Sequence, residues 1–164
     1  MSDLKSTITT ISEAVHNKFL SSNLTLSLAE SCTGGLLAST ITKLSGASKY
    51  FLGSIVCYSN DVKENLLNVS KNTLNNFGAV SPQTASELAV NCSNIFKTNI
   101  AISITGIAGP SGGTSEKPMG TVYFGFYNQG KLIVDRQIFS GNRTEIQEKS
   151  VIFALGYLKE LMSS

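Results

Sequence analysis

Residues 24–44 combine a strand-forming run, a glycine-rich turn and a helical pattern, and this combination constrains the fold more than any other feature. Residues 24–28 (LTLSL) are short and apolar, as buried strands are. Residues 29–35 (AESCTGG) then lead into leucine, alanine and isoleucine at helical spacing. A strand that passes through a turn into a helix is typical of α/β folds. The serine in this turn suits a nucleophile beside helix-start N–H groups, although the same residue types also cap helices without any catalytic role.

The composition fits one ordered domain. The 164 residues are 41% hydrophobic and 15% charged, which is enough for a substantial core. No run approaches the roughly 18 apolar residues of a membrane span, and residues 1–5 lack the apolar core of a signal peptide. The three cysteines have no metal-ligand spacing and indicate free thiols in a reducing compartment. We therefore expect a single domain over residues 1–164, no membrane association and a cytoplasmic location.

The charge pattern and the single histidine exclude several functional classes. Lys and Arg number 13 against 11 Asp and Glu, the net charge is +2, and no basic cluster occurs. Nucleic acid is therefore not an expected partner. His16 lies in a helical pattern over about residues 4–20 and is expected to be a solvated helix residue. A serine nucleophile in this chain must consequently use a base other than histidine.

The remaining pattern predicts how these elements assemble. We expect helices at residues 4–20, 33–44, 61–68, 82–97 and 144–162, with a further short helix ending at Gly78. We expect strands at residues 24–30, 50–58, 100–107, 120–127 and 131–139, the last two joined as a hairpin. Helices and strands alternate early and a hairpin comes late, which predicts a three-layer α/β/α fold with a mixed sheet. Ligands of such sheets bind where loops leave the strand ends.

Residues 58–63 (YSNDVK) contain the candidate base for Ser31. Asn60 or Asp61 is expected to cap the next helix, which places Lys63 in its first turn. The helix N-terminus and burial both lower the pKa of a lysine, and a neutral lysine can take a serine proton and return it to a leaving amine. Tyr58 is a candidate to relay that proton or to hold the amide. A solvated surface lysine is the alternative.

Three other features are chemically suggestive. Cys32 is a competing nucleophile, because a helix N-terminus lowers a thiol pKa. Residues 105–113 (TGIAGPSGG) permit close backbone approach to a phosphate or ribose, although they match neither a Walker loop nor a dinucleotide-binding fingerprint. Arg143 stands just before the last helix and is a candidate clamp for a phosphate or carboxylate. The alternatives are that residues 105–113 form a flexible connection and that Arg143 is an ordinary surface arginine.

Five segments, in order along the chain, resemble the C-terminal domain family of the competence/damage-inducible protein CinA, in particular its stand-alone nicotinamide-nucleotide amidohydrolases. They are AESCTGG (29–35), VCYSN with the following lysine (56–63), GAVS (78–81), SITGIAGPSGG with KPMGTV (103–122) and FSGNR (139–143). The resemblance implies an α/β/α domain that hydrolyses nicotinamide mononucleotide to nicotinic acid mononucleotide and ammonia in NAD salvage. It also implies a homodimer and chemistry without a metal or cofactor.

The resemblance further implies roles for individual residues. Ser31 would be the nucleophile, Lys63 the base and Tyr58 an assistant, while Thr33, Gly34 and Gly35 would offer oxyanion donors. Ser48 is the second choice for a functional serine. The substrate-binding residues implied in this way are Glu30, Thr33, Gly34, Gly35, Ser48, Thr105, Gly106, Ala108, Gly109 and Arg143.

The family also implies two limits. Many members carry an additional N-terminal nucleotide-processing domain, and its activity is not expected here. Some relatives keep the fold without deamidase activity, so a non-catalytic nucleotide-binding or interaction domain is the alternative function.

Overall fold

The structure, a computed structural model, describes residues 2–163 and contains one mixed sheet between two layers of helices. The strands are Leu26–Glu30 (β1), Phe51–Val56 (β2), Ile100–Gly106 (β3), Thr121–Asn128 (β4) and Lys131–Ile138 (β5). The helices are Ser2–Leu20 (α1), Leu36–Thr42 (α2), Asn60–Leu67 (α3), Lys71–Phe77 (α4), Pro82–Phe96 (α5) and Arg143–Leu161 (α6), with a 3-10 turn at Ala47–Lys49. The predicted three-layer α/β/α fold is confirmed.

The order of the strands brings several loops to one edge of the sheet. The order is β2-β1-β3-β4-β5. Strand β1 is parallel to both β2 and β3, whereas β4 is antiparallel to both of its neighbours, β3 and β5. Glu30, the last residue of β1, lies opposite Val56 and Ile104. At the same edge, Thr121 at the start of β4 lies opposite Ile138 at the end of β5. The loops that follow β1, β2, β3 and β5 therefore meet there.

Each face of the sheet packs against its own helices. One core cluster joins the sheet to α1, α2 and α6 and contains Phe19, Leu37 and Leu155, each at most 1% exposed. The second cluster lies under α3 and α5 and contains Leu67 and Leu88. All five residues of β1 are buried, as a strand covered on both faces requires. Within residues 2–163, no helix is both long and apolar enough to cross a bilayer.

The starts of α5 and α3 are capped by side chains, and two helix starts differ from the prediction. Ser81 accepts a hydrogen bond from the N–H of Thr84 and caps α5, as expected. The cap of α3 is Ser59, not Asn60 or Asp61, because the Ser59 hydroxyl accepts from the N–H of Val62. The helix predicted from residue 33 begins at residue 36, because positive φ angles at residues 34 and 35 hold the preceding segment in a turn.

His16 is not a solvated helix residue, contrary to the prediction. It is 8% exposed, and its Nδ1 lies 3.0 Å from the hydroxyl oxygen of Tyr50. The Tyr50 ring stacks on Phe19 with centroids 4.5 Å apart. The periodic pattern identified the apolar stripe of α1 but placed His16 beside it, whereas a hydrogen-bonded imidazole is readily buried within such a stripe. His16 therefore has a structural role in packing α1 against the chain that leads into β2.

Candidate functional site

A cavity of about 310 Å³ lies at the edge of the sheet where β1, β2 and β3 end. Its volume is near the lower end of the range for small-molecule sites. The structure thus brings together the predicted catalytic residues and part of the predicted binding residues. The lining residues are Ser31, Cys32, Tyr58, Lys63, Ala79, Val80, Thr105, Gly106, Ile107, Ala108, Gly109, Ser111, Gly112 and Arg143.

Ser31 is held in this cavity by the central strands. Its backbone N–H donates a 2.9 Å hydrogen bond to the carbonyl oxygen of Ile104, which extends the pairing of β1 with β3 by one residue. Its carbonyl oxygen accepts a hydrogen bond from the N–H of Gly34, which closes the following turn. The residue is 8% exposed yet lines the cavity. The serine backbone is therefore fixed by the rigid centre of the sheet.

Lys63 reaches Ser31 from α3 and is among the most deeply buried polar residues. It is 1% exposed, and its Nζ donates to Ser31 Oγ at 3.1 Å and to the carbonyl oxygen of Cys57 at 2.7 Å. A third, longer bond of 3.4 Å goes to the Tyr58 carbonyl oxygen. Among the described residues, no carboxylate forms an ion pair with this amine. Burial lowers the pKa of Lys63 from its usual value of 10.5.

This pair of residues has the properties of a nucleophile and its base. Burial favours the neutral amine of Lys63, which can accept the hydroxyl proton of Ser31 at hydrogen-bond distance. The carbonyl of Cys57 fixes the direction of the amine. A solvated surface lysine, the alternative left open by the sequence, is excluded by the burial of this side chain.

Arg143 and Tyr58 form the opposite wall of the cavity. The guanidinium donates from Nη1 to the Gly109 carbonyl oxygen and from Nη2 to the Tyr58 hydroxyl oxygen, both at 2.7 Å. Arg143 is the first residue of α6, whose start is held by a capping box between Asn142 and Glu145. The Tyr58 hydroxyl is therefore engaged by the arginine, and only the backbone carbonyl of Tyr58 contacts the lysine. This placement favours a binding role for the tyrosine ring over proton relay.

The loop after β3 supplies the backbone of the remaining wall. A Cβ on Gly106 would lie 2.7 Å from the Thr121 carbonyl oxygen, so only glycine fits beside β4. Thr105 is 1% exposed and donates through Oγ1 to the Ala79 carbonyl oxygen, which ties a second loop to the cavity. Among residues 2–163, the N–H groups of Ala108 and of residues 109, 111 and 112 have no hydrogen-bond partner. These donors are available to an anionic ligand.

Cys32 lines the same cavity, but its environment disfavours a thiolate. The residue is 5% exposed, and burial raises the pKa of its thiol from 9.0 to about 12, with a smaller contribution in the same direction from the charge of Glu30. The thiol is consequently protonated near neutral pH, and a protonated thiol is a weak nucleophile. The structure therefore favours Ser31 over Cys32 as the attacking group.

Several predicted binding residues lie outside the cavity. Glu30 is fully buried, and its carboxylate accepts hydrogen bonds from Thr33 Oγ1 at 2.7 Å and from the N–H groups of residues 37 and 38 at 3.1 and 2.8 Å. It therefore holds the start of α2. Thr33, Gly34 and Gly35 line a neighbouring cavity with residues of α6, and the Gly34 N–H donates to the Ser31 carbonyl oxygen.

Ser48, the second choice for a functional serine, lies outside the Ser31 cavity. It lies exposed in the 3-10 turn and lines a different cavity with residues such as Thr42 and Phe51. Ser48 is close in sequence to the segments that carry the family resemblance, but it lines a different cavity from Lys63. The Lys63 amine lies beside the hydroxyl of Ser31.

Three contributions to the site were missed in the sequence. The Cys57 carbonyl orients Lys63, and Gln147 donates through Nε2 to the Cys32 carbonyl oxygen at 2.8 Å, which ties α6 to the turn after Ser31. Residues 79–80 complete the cavity wall. Backbone acceptors and small apolar residues carry no chemical signature, although residues 78–81 (GAVS) were one of the segments of the resemblance.

Comparisons with known proteins identify the family of this chain. A family model described as the CinA C-terminal domain matches residues 8–162. A CinA-like protein of Kosmotoga olearia is 46% identical over 152 residues, which are 93% of this chain and 37% of the relative. The chain thus spans little more than a third of the length of this curated relative.

Solved structures show the same fold over nearly the whole chain. The competence/damage inducible protein CihA from Agrobacterium tumefaciens superposes with a TM-score of 0.92 at 36% identity and covers 96% of both chains. The CinA superfamily protein KP700603 from Klebsiella pneumoniae gives a TM-score of 0.92 at 30% identity, with 95% of this chain and 98% of that chain covered. Together with the family model, these matches show that the chain belongs to the CinA C-terminal domain family.

Proposed function

We propose that this domain hydrolyses the carboxamide of nicotinamide mononucleotide and releases nicotinic acid mononucleotide and ammonia, as one step of NAD salvage. The observation that supports this proposal most strongly is the 3.1 Å contact between Lys63 Nζ and Ser31 Oγ, two buried side chains that line the cavity. A serine with a neutral lysine as its base can cleave an amide without histidine. The substrate itself is inferred from the family resemblance, and the cavity wall adds support from its anion-binding groups.

In the proposed reaction, Lys63 takes the hydroxyl proton as Ser31 Oγ attacks the carboxamide carbon. The negative charge that develops on the carboxamide oxygen needs hydrogen-bond donors, and the unpaired N–H groups of Ala108 and of residues 109, 111 and 112 line the same cavity. Collapse of the tetrahedral intermediate breaks the carbon–nitrogen bond, and Lys63 returns the proton to the departing ammonia. Water, deprotonated by Lys63, then hydrolyses the acyl–Ser31 ester and regenerates the serine.

The nucleotide part of the substrate is assigned to the opposite wall. A guanidinium group suits a phosphate, and the contacts of Arg143 with Gly109 and Tyr58 hold this side chain at the mouth of the cavity. The Tyr58 side chain is 60% exposed, so its ring is available to contact the ligand. From the family alone, we also propose that the protein is a homodimer and that it is cytoplasmic. Sedimentation analysis tests the first of these proposals, and cell fractionation tests the second.

Ammonia release from nicotinamide mononucleotide, measured in excess chelator, tests the proposal. We expect turnover in the wild-type protein and in Cys32→Ala, and its loss in Lys63→Ala. Thermal unfolding of each variant with and without substrate separates loss of catalysis from loss of folding.

Two outcomes would contradict the proposal. A wild-type protein that is stabilised by the nucleotide but releases no ammonia would indicate the non-catalytic binding domain. Loss of turnover in Cys32→Ala, with full activity in Lys63→Ala, would indicate thiol catalysis.

A further inference from the structure

A second cavity of about 310 Å³ lies between α1, α2 and α6 and shares no lining residue with the Ser31 cavity. Its polar lining includes Glu148 of α6, Lys5 of α1 and Lys43, which follows α2. Its apolar lining includes Ile8 and Leu36. The cavity thus combines charges of both signs with an apolar wall.

Glu148 is a buried acid without a hydrogen-bond partner among the residues that the structure describes. The side chain is 6% exposed, its Oε2 is sealed from solvent, and its carboxylate forms no hydrogen bond or ion pair with any residue in the range 2–163. The other strongly buried glutamate, Glu30, accepts three hydrogen bonds. A buried carboxylate without a donor is unfavourable, so an external donor that reaches Glu148 stabilises the protein.

The neighbouring side chains do not supply that donor. The hydroxyls of Thr9, Ser12 and Thr40, which line the same cavity, donate to carbonyl oxygens of their own helices. Lys5 and Lys43 form no ion pair with a described carboxylate. Among the described residues that line it, the cavity therefore contains one carboxylate without a donor, two lysines without an ion-pair partner, and apolar side chains.

We propose that this cavity binds a small zwitterion with an apolar body, of the hydrophobic amino acid class. The ligand's ammonium group pairs with Glu148, its carboxylate faces Lys5 and Lys43, and its side chain packs on Ile8, Leu36 and Leu44. Charge-assisted hydrogen bonds at both ends select a zwitterion over an amine or an acid alone. The inference does not depend on the proposed amidase activity.

L-leucine is the probe for this site, with 3-methylbutylamine and 4-methylpentanoate as matched probes that lack the carboxylate and the ammonium group. Titrations followed by amide and methyl NMR shifts report both affinity and location. We expect saturable binding of leucine, shifts centred on Leu36 and Leu44, and affinities at least about tenfold weaker for both analogues. Equal affinity of either analogue, or no saturable binding of leucine, overturns the proposal.

Glu148→Gln removes the charge with little change in shape, and Glu13→Gln, an exposed position on α1, is the control for net charge. We expect the first to weaken leucine binding at least about tenfold and the second to leave it unchanged. Lys43→Met removes one of the two lysines proposed to face the ligand's carboxylate and leaves Glu148 intact. Unchanged affinity in both Glu148→Gln and Lys43→Met overturns the proposal. Binding in Ser31→Ala should equal that of the wild type, so that failure of the amidase proposal is distinguished from failure of this one.

Discussion

Lys63 Nζ lies 3.1 Å from Ser31 Oγ, and the same amine donates to the Cys57 carbonyl oxygen at 2.7 Å. One helix thus delivers a buried amine to a serine that is fixed by the central strands of the sheet. Since no described carboxylate pairs with Lys63, burial is the dominant influence on its pKa and lowers it. The functional proposal depends mainly on this relationship.

Lys63→Arg separates charge from basicity. Arginine keeps the positive charge but cannot act as a base near neutral pH. We expect kcat for nicotinamide mononucleotide to fall by about 10²–10⁴-fold, the usual contribution of a general base. The steady-state rate of ammonia release at saturating substrate gives kcat for the wild type and the variant. A variant with more than half of the wild-type kcat would contradict the role of Lys63 as base.

Burial of Lys63 also predicts how stability depends on pH. Its folded-state pKa lies below 10.5, the value expected in the unfolded chain. Between these two values the unfolded state binds a proton that the folded state lacks, so the free energy of unfolding rises with pH, by at most about 1.4 kcal/mol per pH unit. The cost of burying the charge is therefore greatest below the folded pKa and is relieved as pH rises.

Chemical denaturation of the wild type and of Lys63→Met over a pH series measures this effect. Other titrating groups are present in both proteins, so the difference between their unfolding free energies isolates the lysine. We expect the free energy of unfolding of the wild type to increase with pH relative to that of Lys63→Met. A difference that is constant up to pH 10.5 would show that the folded protein keeps Lys63 charged.

Glu30→Gln tests the structural role of the buried carboxylate. The amide cannot accept from Thr33 and from residues 37 and 38 as the carboxylate does, because one of its two ends is a donor. We expect a loss of about 1–3 kcal/mol in the free energy of unfolding. Glu64→Gln is the control, since the salt bridge of Glu64 with the exposed Lys71 should contribute less than about 1 kcal/mol. Equal effects of the two substitutions would contradict the assigned role of Glu30.

Arg143→Lys tests the assignment of the phosphate. Lysine cannot reproduce the forked contacts with Gly109 and Tyr58, so its ammonium is held less firmly at the cavity mouth. We expect KM for nicotinamide mononucleotide to rise about tenfold or more, with a much smaller change for the riboside that lacks the phosphate. A similar rise in KM for both substrates would place the phosphate elsewhere.

The cysteines provide a separate test of the nucleophile. Burial raises the thiol pKa of Cys32 and Cys92 to about 12 and that of Cys57 to about 11. We expect alkylation by iodoacetamide at pH 7.5 to be at least about a hundredfold slower in the folded protein than after unfolding. Mass spectrometry of the labelled peptides measures each site. Rapid labelling of Cys32 in the folded protein would restore it as a candidate nucleophile.

The architecture and the proximity of Ser31 and Lys63 could be predicted from the sequence because both depend on local pattern. Ser31 and Lys63 each follow a strand that ends at the same edge of a parallel unit, so alternation of helices and strands was sufficient to place them together. The glycine-rich loop after β3 reaches the same edge for the same reason. These predictions concern the backbone path, which hydrophobic periodicity reports well.

The errors concern the direction of side chains and the partners of polar groups. Glu30 and Ser31 are adjacent, yet the first points under α2 and the second into the cavity. Strand alternation predicts opposite directions for neighbours but not which neighbour faces the ligand. His16 was placed in solvent because its partner, Tyr50, is distant in sequence. Ser48 lies apart from Lys63, because proximity to a motif along the chain does not determine proximity in space.

The most direct test of the central claim compares Ser31→Ala with Ser48→Ala in the ammonia-release assay, with folding of both variants verified by thermal unfolding. Ser31 has the buried amine beside it, whereas Ser48 lies in a separate cavity. We predict that Ser31→Ala lowers kcat at least about a thousandfold and that Ser48→Ala leaves it close to the wild-type value. Substantial turnover in a folded Ser31→Ala variant would contradict the assignment of Ser31 as the nucleophile.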